Sequence, residues 1–407
     1  MQVYFSTDGQ TGLPRYFREV FTKIKGMRCG RVDLVMPDGR RFRAEGAEPG
    51  PVAELRIHNP DFFARLLRDG ELSFGETYLE GWWTTPDLQA LLDLVHADEA
   101  LLEGFPTIRI VRFLERLRFF FYSNSKRQAK KNISYHYDLG NDFYRLWLDD
   151  TMTYSSALFH TGQESTEAAQ TEKYARLVDE MGVQPGDHVL EIGCGWGGFA
   201  EYAARERGLK VTGLTISQEQ HDYAVERIKA AGLEDQVDIK ICDYRDERGS
   251  YDGIVSIEMF EAVGERYWPT YFKTLRERLK PGAKAALQII TIEDWRFDYY
   301  RRSVDFIQKF IFPGGMLPSP TVLRKEVEKA GLAVQDALTF GDSYSQTLRR
   351  WHETFNDRWD EVSAMGFDDR FRRMWDFYLT SCAASFRYGV CDVVQITVKD
   401  PTAPKPS

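Results

Sequence analysis

Four glycines, Gly193, Gly195, Gly197 and Gly198, stand in the run VLEIGCGWGGFA at 189–200, directly after the apolar residues Val189, Leu190 and Ile192. Glycine permits positive φ and lets a ligand approach the backbone, and the helix that resumes at Phe199 offers its positive end. The spacing predicts a strand, a bare turn and a helix N-terminus that hold a flat or polar ligand. Such a turn serves dinucleotide enzymes and nucleoside-sulfonium enzymes alike. A nicotinamide cofactor asks for a carboxylate at the end of the second strand, and here that strand ends Gly213-Leu214-Thr215-Ile216-Ser217, without an acid. The loop reads E-x-G-x-G-x-G-G, offset from G-x-G-x-x-G. After the third strand stand Asp243 and Tyr244, an acid and a ring that suit an adenine amino group and its face. These features favour S-adenosylmethionine over a nicotinamide dinucleotide, and spacing alone leaves both open.

The elements that must position this loop follow from periodicity. From about residue 170 strand and helix patterns alternate: a helix over Glu172–Met181, strands over 187–192, 210–215, 237–241, 252–257 and 284–290, and helices over 197–207, Gln218–Ala231 and Tyr267–Leu279. This βαβ rhythm predicts a doubly wound, Rossmann-like α/β sheet that binds its ligand beyond the carboxyl ends of the strands. An aromatic insertion follows at about 293–345, then a helical region at about 346–387, and Asp392–Val398 returns to the sheet. Residues 293–387 are expected to form a helical, aromatic cap. Ahead of the sheet, Arg31–Met36 and Arg40–Ala44 flank the turn Pro37-Asp38-Gly39, Glu54–His58 reads as a further strand and Pro60–Leu67 as a helix. The expected organisation is a smaller mixed α/β N-terminal domain over 1–122, a linker at 123–132, the catalytic domain over 133–400 and a disordered tail at 401–407. The adjacent Trp82 and Trp83 read as core or as an interfacial anchor.

Net charge is −9 over 407 residues, which argues against nucleic acid as the main partner. The segment IRIVRFLERLRFFFY at 108–122 runs against that balance, interleaving Arg109, Arg112 and Arg116 with apolar residues, and Lys126 and Arg127 follow it. A basic amphipathic stretch on an acidic protein is the footprint of contact with anionic phospholipid, at about 1 kcal/mol per basic residue near the headgroups; a solvated face of a linking helix is the alternative. No window of 18 apolar residues and no signal-peptide pattern is present, and the five cysteines show no C-x-x-C spacing. A cytoplasmic protein without a metal site is expected, peripheral on the inner face of the membrane.

Six motifs in order, YHYDLGNDFYRLWLDDTMTYSSALF at 135–159, EIGCGWGGFA, GLTISQEQ at 213–220, IEMFEAVGERY at 257–267, IFPGGMLPS at 311–319 and SYSQTLRRWHETF at 343–355, together resemble the cyclopropane fatty acid synthase family. The resemblance is strong over about 130–400 and weak over 1–125. It implies a class I methyltransferase that uses S-adenosylmethionine to alkylate the double bond of unsaturated fatty acyl phospholipids, and it suggests a homodimer. Carried over by motif, the implied cofactor contacts are Tyr154, Ser155, Gly193, Gly195, Thr215 and Gln220, with Asp243 and Tyr244 facing the adenine. Phe306, Phe310 and Trp351 are expected near the acyl chain.

In ring-forming members the base is thought to be a bound bicarbonate, and the positions that would hold it map to Ser156, Glu261, Gln288, Ile290 and Tyr344. Two depart from the family pattern: Ser156 replaces a cysteine and Gln288 a histidine. Both can donate hydrogen bonds to a carbonate, but the imidazole, a tunable proton carrier, is gone. Nearby, Ala262 replaces a histidine, and Glu258 is an acid where glycine is common. Attack by an alkene on the sulfonium methyl leaves a carbocation. Proton loss from the new methyl closes a cyclopropane, whereas a hydride shift followed by proton loss gives a methylene branch, which later reduction turns into a methyl branch. The expectation is methylation without ring closure; an ordinary ring-forming synthase and a non-catalytic lipid-binding protein that keeps the fold are the alternatives.

Overall fold

The computed structural model describes residues 2–98, 101, 104–105, 124–126, 128–129, 132 and 139–402. The chain divides into two compact units, one of Met1–Phe121, Asp298–Ile311 and Ser363–Val390, the other of Tyr122–Phe297, Phe312–Val362 and Cys391–Ser407.

The first unit contains strands β1 (Val3–Tyr4), β2 (Cys29–Val35), β3 (Arg41–Glu45), β4 (Glu48–Ile57) and β5 (Trp83–Thr84) in the order β1-β3-β2-β4-β5. The β2–β3 hairpin forms around Pro37-Asp38-Gly39, where Gly39 takes φ +86° and the Asp38 carboxylate accepts from the Arg40 N–H at 3.0 Å. β4 is longer than the expected Glu54–His58 and lies parallel to β2. Phe17 packs its ring against Phe42 and Phe63, with centroids 4.8 and 5.0 Å away. Trp83 is fully buried, stacks on Phe74 at 4.5 Å and donates its indole N–H to the Phe74 carbonyl and the Thr77 hydroxyl. It is a core residue.

The cap expected as one block over 293–387 is divided, because 298–311 and 363–390 cluster with the first unit. The reason is packing of apolar faces. In the helix Asp369–Arg387, Phe377 meets Phe74, Tyr78 and Phe306 within 4.6–6.3 Å, and Gly75 leaves the room that Phe306 fills, since a Cβ there would lie 2.4 Å from that ring.

The second unit holds seven strands, β6 (His188–Ile192), β7 (Lys210–Thr215), β8 (Val237–Ile241), β9 (Tyr251–Ile257), β10 (Leu279–Ile292), β11 (Ala333–Thr339) and β12 (Cys391–Lys399), in the order β11-β12-β10-β9-β6-β7-β8. This is the Rossmann-like α/β fold, with order reversing between β6 and β9. One part departs from the parallel sheet that the rhythm predicts. β12 runs antiparallel to both β10 and β11, and β11 lies inside the stretch expected to be insertion. β11 alternates between half-buried and exposed positions, so it lacks the continuous apolar run that marks the central strands.

Local chemistry sets the helices. The helix Thr166–Met181 begins six residues before the expected Glu172, because the Ser165 hydroxyl accepts from the Ala168 N–H, and it ends at Gly182 with φ +72°. Ser217 likewise caps the helix Gln218–Ala230 by accepting from the Gln220 N–H. The described residues of 123–132 belong to this unit: Asn124 is buried, donates to the Gly314 carbonyl at 2.8 Å and accepts from the Asn132 amide at 2.9 Å.

Candidate active site

The strand ends on either side of the β6–β9 reversal carry the site. β6 runs into the glycine loop, where Gly193, Gly195 and Gly197 all take positive φ, +85°, +51° and +84°. The loop is tied to β7 by two N–H groups, of Gly193 and Cys194, that donate to the Leu214 carbonyl at 2.9 and 2.8 Å. A Cβ at Gly193 would lie 2.7 Å from the Met259 side chain, whereas one at Gly195 would meet no atom of the described residues within 4 Å. The loop thus packs tightly on one side and leaves a cradle on the other. At the end of β7 the Thr215 hydroxyl donates to the Gln220 side-chain oxygen at 3.1 Å and accepts from the Ser217 N–H. After β8 both Asp243 oxygens are engaged by Arg245, at 2.7 and 2.6 Å, and Tyr244 packs edge-on against Tyr271. Cys194 is buried, and burial pushes its thiol well up, away from the thiolate form.

β9 leads into a second constellation. Glu258, directly after the strand, is held at φ +49°, a conformation that costs a non-glycine residue on the order of 1–3 kcal/mol. Its buried carboxylate accepts three hydrogen bonds: one oxygen from the Ser156 N–H at 2.8 Å and the Gln288 amide at 2.8 Å, the other from the Tyr344 hydroxyl at 2.6 Å. Burial raises Glu258 above its ordinary value, while Tyr344, the Lys173 charge, Gln288 and Ser156 oppose that rise. Glu261, one turn further on, accepts from the Ile290 N–H at 2.5 Å through one oxygen, and its other oxygen is buried with no hydrogen-bond partner among the described residues. Burial pushes Glu261 up to about 8, with the neighbouring Glu258 charge adding to the rise.

The structure therefore brings Ser156, Gln288 and Tyr344 together on Glu258, and pairs Ile290 with Glu261. The Ser156 hydroxyl itself turns away and donates to the Ala157 carbonyl at 2.9 Å. Tyr154 stands in a ring cluster, 5.3 Å from Trp351 and 5.4 Å from Trp147, and Trp351 is 6.3 Å from Tyr344. Phe306 and Phe310 lie in the first unit, whereas Trp351 and these site residues lie in the second. Arg109, Arg112, Arg116 and Arg127 fall outside the described residues; Lys126 pairs with Asp246 at 2.5 Å and is half exposed.

A buried polar layer under the site was missed from the sequence. The Lys173 ammonium, fully buried, donates to the Ser155 hydroxyl at 2.7 Å, and burial pulls it down to about 7 against the Glu258, Asp149 and Glu191 charges. Gln170 donates to the Ser155 carbonyl, and Gln395 donates to the Gln288 side-chain oxygen at 3.0 Å. Glu191 on β6 is buried, and burial pushes it up to about 8. The available signal was polarity at core positions of a helix and of two strands.

The residues present fit S-adenosylmethionine. The open side of Gly195 admits a ligand against the backbone, and the neutral pair Thr215–Gln220 occupies the place where a nicotinamide enzyme would present an acid. Comparison with known proteins agrees. Residues 124–396 match the family model for mycolic acid cyclopropane synthetase. Tuberculostearic acid methyltransferase UfaA1 of Mycobacterium tuberculosis is 41% identical over 376 residues, 90% of this chain and 87% of that protein. Cyclopropane-fatty-acyl-phospholipid synthase of Escherichia coli is 38% identical over 340 residues, 82% of this chain and 85% of that protein. Among solved structures, mycolic acid cyclopropane synthase CmaA1 complexed with SAH and CTAB superposes with a TM-score of 0.62 at 29% identity, over 66% of this chain and 97% of that one. By fold, by the glycine loop and by this match, the chain belongs to the mycolic acid cyclopropane synthetase family and is an S-adenosylmethionine-dependent lipid methyltransferase.

Proposed function

We propose that this protein methylates the double bond of an unsaturated acyl chain in a membrane phospholipid, by way of a carbocation, and releases an open-chain branched product rather than a cyclopropane. The observation that carries the reading is the buried oxygen of Glu261 that finds no hydrogen-bond partner among the described residues and lies within the field of the Glu258 charge, whose own carboxylate accepts from Tyr344, a neighbour of the Trp351 and Tyr154 rings. An uncompensated carboxylate in dry surroundings is costly to maintain. It becomes favourable when a positive charge develops next to it, and aromatic faces add to that stabilisation.

S-adenosylmethionine, when bound, supplies the electrophilic methyl group. Gly193, Gly195, Thr215 and Gln220 would hold it, with Asp243, Tyr244, Tyr154 and Ser155 around it. The chain's own part is to keep water away, to orient an alkene and to take up a proton. Trp147, Trp351 and Tyr344 are buried and exclude water, which protects a carbocation from capture. The names of UfaA1 and of the E. coli synthase support a fatty acyl substrate. Retention of Glu261, Ile290 and Tyr344 favours the second reading, an ordinary ring-forming synthase that uses bicarbonate, whereas the turned-away Ser156 hydroxyl and the glutamine at 288 weigh against it. The basic segment at 108–127 extends the proposal to an anionic membrane surface, approached from the cytoplasmic side by a homodimer.

Purified protein, methyl-labelled cofactor and liposomes test this. Label is expected in the acyl chains of monounsaturated phosphatidylglycerol, absent with fully saturated lipid, and several-fold lower when the anionic headgroup is replaced by phosphatidylcholine. Label confined to headgroups, or equal labelling of saturated chains, contradicts the reading.

A further inference from the structure

We propose that Glu258 does within this chain what a dissolved bicarbonate ion is thought to do in ring-forming relatives: it is the proton acceptor of the alkylation reaction. The inference rests on the lipid-methylating reading above and names the base for it. Of the five positions assigned to bicarbonate, three now serve Glu258. The Ser156 N–H, the Gln288 amide and the Tyr344 hydroxyl all converge on its two oxygens, at 2.8, 2.8 and 2.6 Å. A carboxylate and a bicarbonate present the same planar pair of oxygens to such donors, so a set of donors shaped for one accepts the other.

Backbone conformation gives an independent observation. Glu258 stands at φ +49°, where glycine would rest without strain and a side chain costs stability. Its own N–H donates to the Gln288 carbonyl at 2.9 Å, so the strained residue is locked to β10, the strand that supplies the amide to its carboxylate. The amide of Gln288 is itself oriented from behind, because its oxygen accepts from Gln395. A glutamine that uses its NH2 on Glu258 and its oxygen on Gln395 has a fixed orientation, and it cannot shuttle a proton as an imidazole would. Loss of the histidine and gain of the glutamate are therefore two parts of one exchange, in which a side chain replaces both the ion and one of its supports.

The step balances without any further reactant. In the methylated cation a hydride moves with its electron pair from the methyl-bearing carbon to its electron-poor neighbour, leaving the empty orbital beside the new methyl group. A C–H bond of that methyl then breaks, its pair forms the C=C bond of a methylene branch on the open chain, and the proton passes to a Glu258 oxygen. Nothing is oxidised or reduced overall. Glu258 is released from its proton to solvent before the next turnover. A methyl-branched lipid would require a separate hydride-donating reductase to consume the methylene product.

The test compares wild type, Glu258→Ala and Glu258→Gln with monounsaturated liposomes, in buffer stripped of carbon dioxide and in the same buffer with added bicarbonate. Wild-type turnover is expected to agree within about twofold between the two buffers. Glu258→Ala should lose about 10²- to 10⁴-fold and recover at least about tenfold with bicarbonate, because the alanine leaves the three donors free for it. Glu258→Gln should lose as much and not recover, since its amide fills the same place. A binding readout accompanies the rates: the resonance of ¹³C-bicarbonate should broaden with Glu258→Ala and not with wild type. Wild-type methylation that collapses without bicarbonate, or broadening of the resonance by wild type, overturns the assignment of Glu258 while leaving lipid methylation intact, and neither depends on the variants folding. Absence of lipid methylation by wild type in both buffers overturns the functional reading and this proposal with it.

Discussion

Replacing Glu261 by glutamine is expected to lower the turnover number for lipid methylation by about 10²- to 10³-fold, the loss typical when a preorganised charge aimed at a transition state is removed. The substitution keeps size and the hydrogen bond from Ile290 but replaces the unpaired anionic oxygen with a neutral group. Because burial holds the wild-type group up to about 8, its ionised fraction grows as pH rises through that value. Wild-type turnover at saturating cofactor should accordingly rise between about pH 6.5 and 8.5, and this limb should vanish in Glu261→Gln. Stability moves the other way. Below about 8 the folded protein holds a proton on Glu261 that the unfolded chain has already released above the usual carboxylate range. The contribution of this group to stability therefore falls as pH rises from that range through about 8, with no further change above. Urea titrations should show the glutamine variant to be less sensitive to pH over that window and no less stable at pH 8.5. A variant that loses stability and activity together would assign Glu261 a structural role instead.

Gly195→Asn is expected to weaken cofactor binding by about a hundredfold, close to 2.7 kcal/mol, with little change in folding stability. Asparagine tolerates the left-handed conformation better than other side-chain-bearing residues, and φ at this position is +51°. No atom of the described residues lies within 4 Å of the Cβ that would be added, so the ligand-free protein bears only the small cost of an asparagine at positive φ. The new side chain enters the cradle that the cofactor should fill. Calorimetric titration with S-adenosylhomocysteine checks binding, and thermal unfolding of the ligand-free protein checks stability. Unchanged affinity would place the cofactor elsewhere. The same substitution at Gly193 is a poor probe, because a Cβ there collides with Met259 on the segment that carries Glu258 and Glu261.

The residues legible in the sequence are those whose role is local. The glycine loop, the strands β7 and β8 and the hairpin around Pro37-Asp38-Gly39 depend on period-2 patterning and on turn chemistry within a few residues, and the chain forms them where that patterning predicts. β11 escaped because a half-exposed edge strand carries a weak apolar signal. Lys173 and Gln395 escaped because their partners lie outside their own elements: Lys173 meets Ser155 from the next helix, and Gln395 meets Gln288 across the β10–β12 ladder. Glu258 was visible as an acid in an unusual place, but its meaning needed the direction of its side chain. Aromatic density at 293–312 could not say which unit the rings would join, and Phe306 and Phe310 went with Phe377 in the first.

The most direct test of lipid alkylation through a carbocation that loses a proton from its new methyl group is the structure of the product made with trideuteromethyl S-adenosylmethionine. Purified enzyme and monounsaturated phosphatidylglycerol liposomes are incubated without reductant, and the released fatty acids are read by mass spectrometry and proton NMR. The predicted product keeps two of the three deuteriums and shows a 1,1-disubstituted alkene in material made with unlabelled cofactor. A dominant upfield cyclopropane signal, or retention of all three deuteriums, would contradict it.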